Sequence, residues 1–242
     1  MLSNNQRKQI VLLAQKKHRE QQRLFVAEGE KIVMELLQAG FTSTSLFSCT
    51  VFPEIDTVLI DLPTMKKITH LKNPSPILGV FQYPEVRIAP SEDPIIALDS
   101  IRDPGNLGTI IRLCDWFGLS QLVCSESTVD CFNPKVIQAS MGSIARVNCQ
   151  YVNLESYLSQ SEKKVYGAAL GGSSLYKESL ETNSIMIFGN ESHGISEHLF
   201  PLIDKNIAIP RFRKGSVPES LNVATATSIF LSELFRTNNT AV

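Results

Sequence analysis

The chain has 242 residues, with 23 Lys+Arg against 24 Asp+Glu, 43% hydrophobic and 19% charged residues. That apolar content excludes a disordered chain, which buries too little surface to offset its ordering entropy, and Gly 13 with Pro 12 excludes a collagen-like one. The near-neutral total hides an asymmetry: residues 1–90 hold 11 Lys+Arg and 8 Asp+Glu, residues 91–242 hold 12 and 16.

In chain order, residues 6–39 read as helical. Ile10, Leu13 and Ala14 recur at i, i+3, i+4. Arg7, Lys8, Lys16, Lys17, Arg19 and Arg23 lie around them against the single acid Glu20. Such a cluster releases counterions from a phosphate backbone, or is a solvated helix face. A second helix is expected from about Glu28 to Ala39, with Ile32, Val33, Leu36 and Leu37 inward and Gly40 as its stop. Short strands follow at Ser45–Cys49, Thr57–Ile60 and Ile77–Phe81, with a weak helix at Met65–His70. The stretch Tyr83–Pro94 carries three prolines and reads as an extended linker. The expected domains are therefore 1–88 and 89–242.

Beyond the linker, strands and helices alternate. Strands are predicted at Ile95–Asp99, Leu122–Ser125, Ala145–Val152, Val165–Leu170, Ile185–Gly189 and Asn206–Pro210. Between them lie helices at Asn106–Phe117, Pro134–Met141, Leu154–Gln160 and Ser196–Leu199, with a long one at Leu221–Phe235. Continuous apolar strands alternating with helices predict an α/β fold with a mostly parallel sheet covered on both faces. In such sheets ligands sit beyond the carboxyl ends of the strands, where three loops collect polar residues. The first runs Asp103-Pro104-Gly105-Asn106 into a helix carrying Arg112, with Asn106 a candidate helix cap. The second is Gly189-Asn190-Glu191-Ser192-His193-Gly194, and the third leads from the basic Arg211, Arg213 and Lys214 to Ser220-Leu221-Asn222, where Ser220 could cap the last helix. Each has a structural alternative: a cap with a snorkelling arginine, a turn with a dipole-stabilising acid, and a capped helix start. His193 and His198 miss the i, i+4 spacing of a helical metal pair. The five cysteines (Cys49, Cys114, Cys124, Cys131, Cys149) form no CxxC, so reduced thiols and no metal are expected. No run nears the ~18 apolar residues of a membrane span, and no signal-peptide h-region follows Met1, so a cytoplasmic protein is expected.

Together these loops resemble the three motifs of the SpoU (TrmH-type) RNA 2′-O-ribose methyltransferases of the SPOUT superfamily. The first motif matches Asn106, Arg112 and Phe117-Gly118, the second Ile187-Phe188-Gly189-Asn190-Glu191-Ser192-His193-Gly194, and the third Ile209-Pro210 with Ser220-Leu221-Asn222-Val223. Ala139-Ser140-Met141-Gly142-Ser143 matches a further segment, and Phe25–Glu35 resembles the substrate-binding module attached to many of these enzymes. The loop departs from the family pattern in having Arg211 for a Met and about three more residues.

The resemblance implies a C-terminal trefoil knot, a homodimer, and S-adenosyl-L-methionine held by backbone around Leu170, Gly189, Ile209 and Leu221. Asn106, Glu191, Ser220 and Asn222 would shape the polar centre, with Arg112 as the proposed base. The implied substrate is RNA, rRNA before tRNA, contacted by Arg7, Lys8, Lys16, Lys17, Arg211, Arg213 and Lys214. The alternatives are methylation of a base nitrogen, or an RNA-binding protein with a decayed site.

Overall fold

A computed structural model of the chain describes residues 2–85, 93–212 and 220–238. It divides into two compact units, Met1–Val86 with Asp130–Arg146, and Arg87–Val129 with Val147–Val242. The segment Asp130–Arg146, which the linear reading assigns to the second domain, thus clusters with the first unit.

The first unit begins with α1 (Asn4–Leu12) and α2 (Lys16–Gln22), followed by β1 (Leu24–Glu28) and α3 (Glu30–Gln38). The continuous helical reading of residues 6–39 is therefore corrected. Arg23, at φ 56, ends α2, and a strand intervenes. A short, fully buried strand has no alternation to reveal it, and Phe25, Val26, Ala27 and Glu28 are all buried. Gly40, at φ 83, terminates α3 as expected. Then come β2 (Ser43–Ser48), β3 (Val58–Leu59), α4 (Leu62–Met65) and β4 (Ile77–Gln82). The sheet order is β1-β4-β2-β3, with β4 antiparallel to both neighbours. Ile10, Leu13, Val26, Phe47, Met65, Ile68, Leu78 and Val80 form its core.

The basic N-terminal cluster is not one solvated face. Lys8, Lys16 and Lys17 are exposed. Arg19 is fully buried, with Nε and Nη2 donating to Asp130 Oδ2 at 2.8 and 2.6 Å and Nη1 to the Leu13 and Ala14 carbonyls at 2.8 and 2.9 Å. The Arg23 guanidinium lies 4.8 Å from the Tyr83 ring centroid. Phe132 stacks on Phe25 at 4.6 Å, and Arg146 pairs with Glu35. These contacts tie Asp130–Arg146 to this unit.

The second unit contains β5 (Ile95–Leu98), α5 (Pro104–Trp116) and β6 (Gln121–Ser125). After α6 (Pro134–Ser140), which belongs to the first unit, come β7 (Asn148–Val152), α7 (Leu154–Ser159), β8 (Lys164–Ser174), β9 (Ser184–Phe188), β10 (Lys205–Ala208) and α8 (Val223–Thr237). Expected bounds shift by a residue or two at several elements; more substantially, Ser143–Ala145 and Glu197–Leu202 are 3-10 turns, and β8 continues past Leu170. The sheet runs β10-β8-β9-β5-β6-β7, all parallel, as predicted.

Both faces of this sheet are buried. Ile95, Ala97, Val123, Val165, Ile185 and Ile187 pack with α7 and the Ile195–Leu199 turn. The alternate residues, including Met186 and Phe188, are equally buried, and Phe188 meets Phe230 of α8 edge-on at 5.3 Å. Burying one such ring contributes about 1.5–3 kcal/mol. Among the described residues no helix is long and apolar enough to cross a membrane.

Candidate active site

The site grows from the carboxyl ends of β5 and β9, neighbours paired Leu98↔Phe188. Immediately after β9 the chain makes a tight hairpin in which Asn190 and Gly194 exchange backbone hydrogen bonds at 2.9 Å. A Cβ on Gly189 would lie 2.1 Å from the Gly194 carbonyl carbon, so only glycine permits this crossing. Asn190 closes the turn from within, its Oδ1 accepting from the Ser192 and His193 amides at 2.9 and 3.2 Å. Its Nδ2 donates to the Ser100 carbonyl at 2.7 Å and to Glu191 Oε2 at 3.4 Å. The buried Asp99 carboxylate anchors the far side, accepting from the Ser196 amide at 2.8 Å and Ser100 Oγ at 2.9 Å. Sequence reasoning missed Asn190, Asp99 and Ser100; the Gly-Asn pair at a strand end was the available signal.

Helix α5 is capped by Asp103, whose Oδ1 accepts from the Asn106 amide at 2.9 Å. The expectation that Asn106 itself caps the helix is corrected, and its side chain is released to bond elsewhere. Likewise α8 is capped by Asn222 rather than Ser220. Asn222 Oδ1 accepts from the Ala224 and Thr225 amides at 3.0 and 3.2 Å.

Those two caps fix a directional chain. With Asn222 Oδ1 committed to backbone N–H groups, its Nδ2 donates to Asn106 Oδ1 at 2.8 Å. Asn106 Nδ2 then donates to Glu191 Oε1, also at 2.8 Å. Each amide accepts on one side and donates on the other, so the orientation of both follows from donor and acceptor inventory alone. The chain runs from the electropositive N-terminus of α8 to a carboxylate, a direction in which successive bonds polarise one another.

Three of the five polar residues picked from sequence, Asn106, Glu191 and Asn222, are thus joined across 116 positions. Arg112 is exposed on α5, outside this hydrogen-bonded chain, and Ser220 is exposed just before Leu221. Arg213 and Lys214 lie outside the described residues, while Arg211 is exposed.

A second feature lies beside β9. The register of β8 against β10 jumps from Gly167 to Ser173 between Asn206 and Ile207, so residues 168–172 bulge from the ladder. Gly171 has φ 81 with open space around it, and a Cβ on Gly172 would lie 2.5 Å from Asn206 backbone. Leu170, on this bulge, is 65% exposed, and Leu221 before α8 is 51% exposed. Ile209 and Gly189 are half-buried. Apolar side chains left in water near strand-end backbone suit contact with the flat apolar part of a ligand.

Comparison with known proteins agrees with this geometry. Residues 93–232 match the model of the SpoU rRNA Methylase family, and residues 4–79 that of an MRM3-like substrate binding domain. The chain is 32% identical over 230 residues to the 23S rRNA (guanosine(2553)-2'-O)-methyltransferase RlmP of Bacillus subtilis, covering 90% of this chain and 91% of that one. Among solved structures, a TrmH-family protein from Porphyromonas gingivalis superposes with TM-score 0.86 at 36% identity, covering 98% of this chain and 99% of that one. The AdoMet-bound rRNA methyltransferase of Sinorhizobium meliloti superposes with TM-score 0.84 at 30% identity, covering 98% and 96%. With its second unit spanned by that family model and its three loops gathered at the carboxyl end of the sheet, the chain belongs to the SpoU rRNA methylase family.

Proposed function

We propose that the protein is an S-adenosylmethionine-dependent methyltransferase acting on a ribose 2′-hydroxyl of rRNA. The observation that carries this is the Asn222–Asn106–Glu191 chain, which draws three distant loops to one point. The residues fit the cofactor. The bulge with Leu170, the glycine crossing at Gly189, Ile209 and the exposed Leu221 would hold the nucleoside and methionyl parts. When bound, S-adenosylmethionine supplies a methyl group on a sulfonium, already a good leaving group.

The protein's task is then to place a sugar oxygen in line, about 3–3.5 Å from its target, and to help it lose a proton. Arg112 is a poor base, because a guanidinium has donors only and no lone pair free to accept a proton. We assign it to the neighbouring phosphate and to the negative charge developing on the 2′-oxygen. Glu191, the carboxylate of the hydrogen-bonded group, takes the proton directly or through water. Asn106 and Asn222 hold Glu191 in register, and Ser220 lines the entrance to α8.

Supporting context extends the reading. Residues 1–88 would hold RNA, with Arg7, Lys8, Lys16 and Lys17 contacting phosphates, and residues 89–242 would form the catalytic domain. Arg211 is assigned to RNA as well. The working form would be a cytoplasmic homodimer. The exposed Trp116, one helical turn from Arg112 on α5, supports a covered surface there. The insertion of β9 between β8 and β5 suits the trefoil knot that the family implies.

Calorimetry with S-adenosylmethionine, followed by methyl transfer to rRNA from cells lacking this gene, tests the proposal. The expected product resists alkaline cleavage at one position, as a 2′-O-methyl must. Alkali-sensitive methylated RNA would mean a base nitrogen is the acceptor. Absence of cofactor binding would remove the enzymatic reading.

A further inference from the structure

We propose that Phe212, backed by Tyr176, is a stacking platform for an unpaired nucleobase of the RNA substrate. This rests on the reading of the protein as an RNA-modifying enzyme and names how one part of that RNA is held. Phe212 is 84% exposed and Tyr176 47%, and their rings face each other with centroids 6.5 Å apart and planes within 28°. Single exposed apolar residues are ordinary; an exposed aromatic pair, nearly parallel, at the ligand-binding end of a sheet is not.

Their position follows from strand register. Ala208 of β10 pairs with Ser174 of β8. Tyr176 stands two residues beyond Ser174, and Phe212 four beyond Ala208, so both leave the carboxyl ends of adjacent strands. The same end carries the Leu170 bulge and Ile209, placing the pair beside the proposed cofactor crevice.

Charge selects the occupant. Arg211 precedes Phe212 and the exposed Lys177 follows Tyr176. The nearby acid Glu178 is bridged to Lys205 at 2.6 Å, and that bridge holds its carboxyl below the usual range. Aromatic faces interleaved with cations suit a polyanion whose bases stack, and suit an apolar protein surface less well.

The test compares wild type, Phe212→Ala and Phe212→Trp by fluorescence anisotropy. The probe is a labelled single-stranded RNA of mixed sequence, about 12 nucleotides long, measured over a salt series beside the same sequence as a duplex. Removing one stacked base contact predicts a Kd for the single strand raised roughly 5- to 150-fold. The slope of log Kd against log salt should stay unchanged, because no phosphate contact is lost. Duplex affinity should not move, and Phe212→Trp should restore single-strand binding. Calorimetry should give Phe212→Ala the wild-type affinity for S-adenosylmethionine, which a merely structural role in the loop would disturb.

Equal single-strand affinity of wild type and Phe212→Ala, or no binding of the probe by wild type, overturns the platform. A Phe212→Ala variant that changes oligomeric state while keeping RNA affinity assigns the pair to a contact between copies instead. A wild type that methylates rRNA alongside an unaffected variant leaves the enzymatic reading intact. A wild type that binds RNA through Phe212 but no S-adenosylmethionine defeats that reading and spares this one.

Discussion

Replacing Asn106 separates the two halves of the amide chain. Asn106→Leu keeps the branched heavy-atom skeleton and removes both hydrogen bonds, to Glu191 Oε1 and from Asn222 Nδ2, each 2.8 Å long. At about 1 kcal/mol per bond, it should cost about 2 kcal/mol. Asn106→Asp keeps an acceptor for Asn222 but sets a second carboxylate against Glu191. Two unit charges at that separation repel by about 1.5 kcal/mol at the dielectric constant of water and about 6 kcal/mol at an effective value near 20. Both residues are half-buried, so the repulsion lies between these limits and exceeds what the retained bond restores. Each kcal/mol moves the melting midpoint by roughly 2–4 °C in a domain of this size. Thermal melts should therefore rank wild type above Asn106→Leu, and Asn106→Leu above or level with Asn106→Asp. Methyl transfer should fall in both variants and furthest in Asn106→Asp. An Asn106→Asp protein that melts with wild type and methylates RNA at the wild-type rate would refute the orientation deduced for the chain.

Three further outcomes are expected. Arg112→Ala should lower methyl transfer at least a hundredfold, as loss of a transition-state donor does, while calorimetry finds S-adenosylmethionine affinity unchanged; retained turnover removes Arg112 from the chemistry. Asp130→Ala leaves the Arg19 guanidinium buried without its carboxylate, which should destabilise the first unit by about 3–5 kcal/mol. The double replacement Arg19→Met/Asp130→Leu should recover most of that; urea unfolding that finds the single variant as stable as wild type rejects the reasoning. The third outcome concerns His70. Its Nε2 bonds the Ile10 carbonyl at 3.0 Å, and its buried Nδ1 has no partner among the described residues. Burial, and the nearby Arg19 charge, hold its pKa below the ordinary 6.5. The unfolded chain therefore binds a proton first as pH falls below 6.5, and stability present above that value is lost through the lower folded pKa. The adjoining Glu28, whose pKa burial raises from 4.5, works in the opposite sense. Wild type should thus lose more stability than His70→Gln between about pH 7.5 and pH 5.5. Equal losses would mean that His70 titrates alike folded and unfolded.

What the sequence shows and hides follows physical lines. Strands buried on both faces, such as Ile95–Leu98 and Ser184–Phe188, announce themselves as apolar runs, and Gly40 and Gly118 mark helix ends. Leu24–Glu28 is hidden because its apolar run is short, lacks alternation and lies between two helical stretches, and its pairing with Ile77–Gln82 makes it a strand. Arg19 reads as one of six cations. Its burial depends on Asp130, which lies 111 positions away, and no local pattern carries that. The same long-range pairing is why Asp130–Arg146 packs with the N-terminal unit.

The caps show how a site residue can be mistaken for a structural one. Both loops offer two capping-competent residues, Asp103 and Asn106 in one, Ser220 and Asn222 in the other. Proline prefers the first helical position, where its missing N–H costs nothing. Pro104 therefore sets the start of α5 and makes Asp103 the cap, moving Asn106 one turn inward with its side chain unspent. At α8 the residue that caps also serves the site. Asn222 satisfies two helix amides with its oxygen, and its nitrogen remains to meet Asn106. Moving the cap to Ser220 would start α8 earlier and withdraw that nitrogen, so helix start and site geometry are one constraint. Asn222→Ser tests this: serine keeps the cap within a few tenths of a kcal/mol but has no amide to offer Asn106. Melting should fall by no more than the roughly 2–4 °C expected for the one lost bond to Asn106 while methyl transfer drops, and wild-type methyl transfer would show that Asn222 is only a cap.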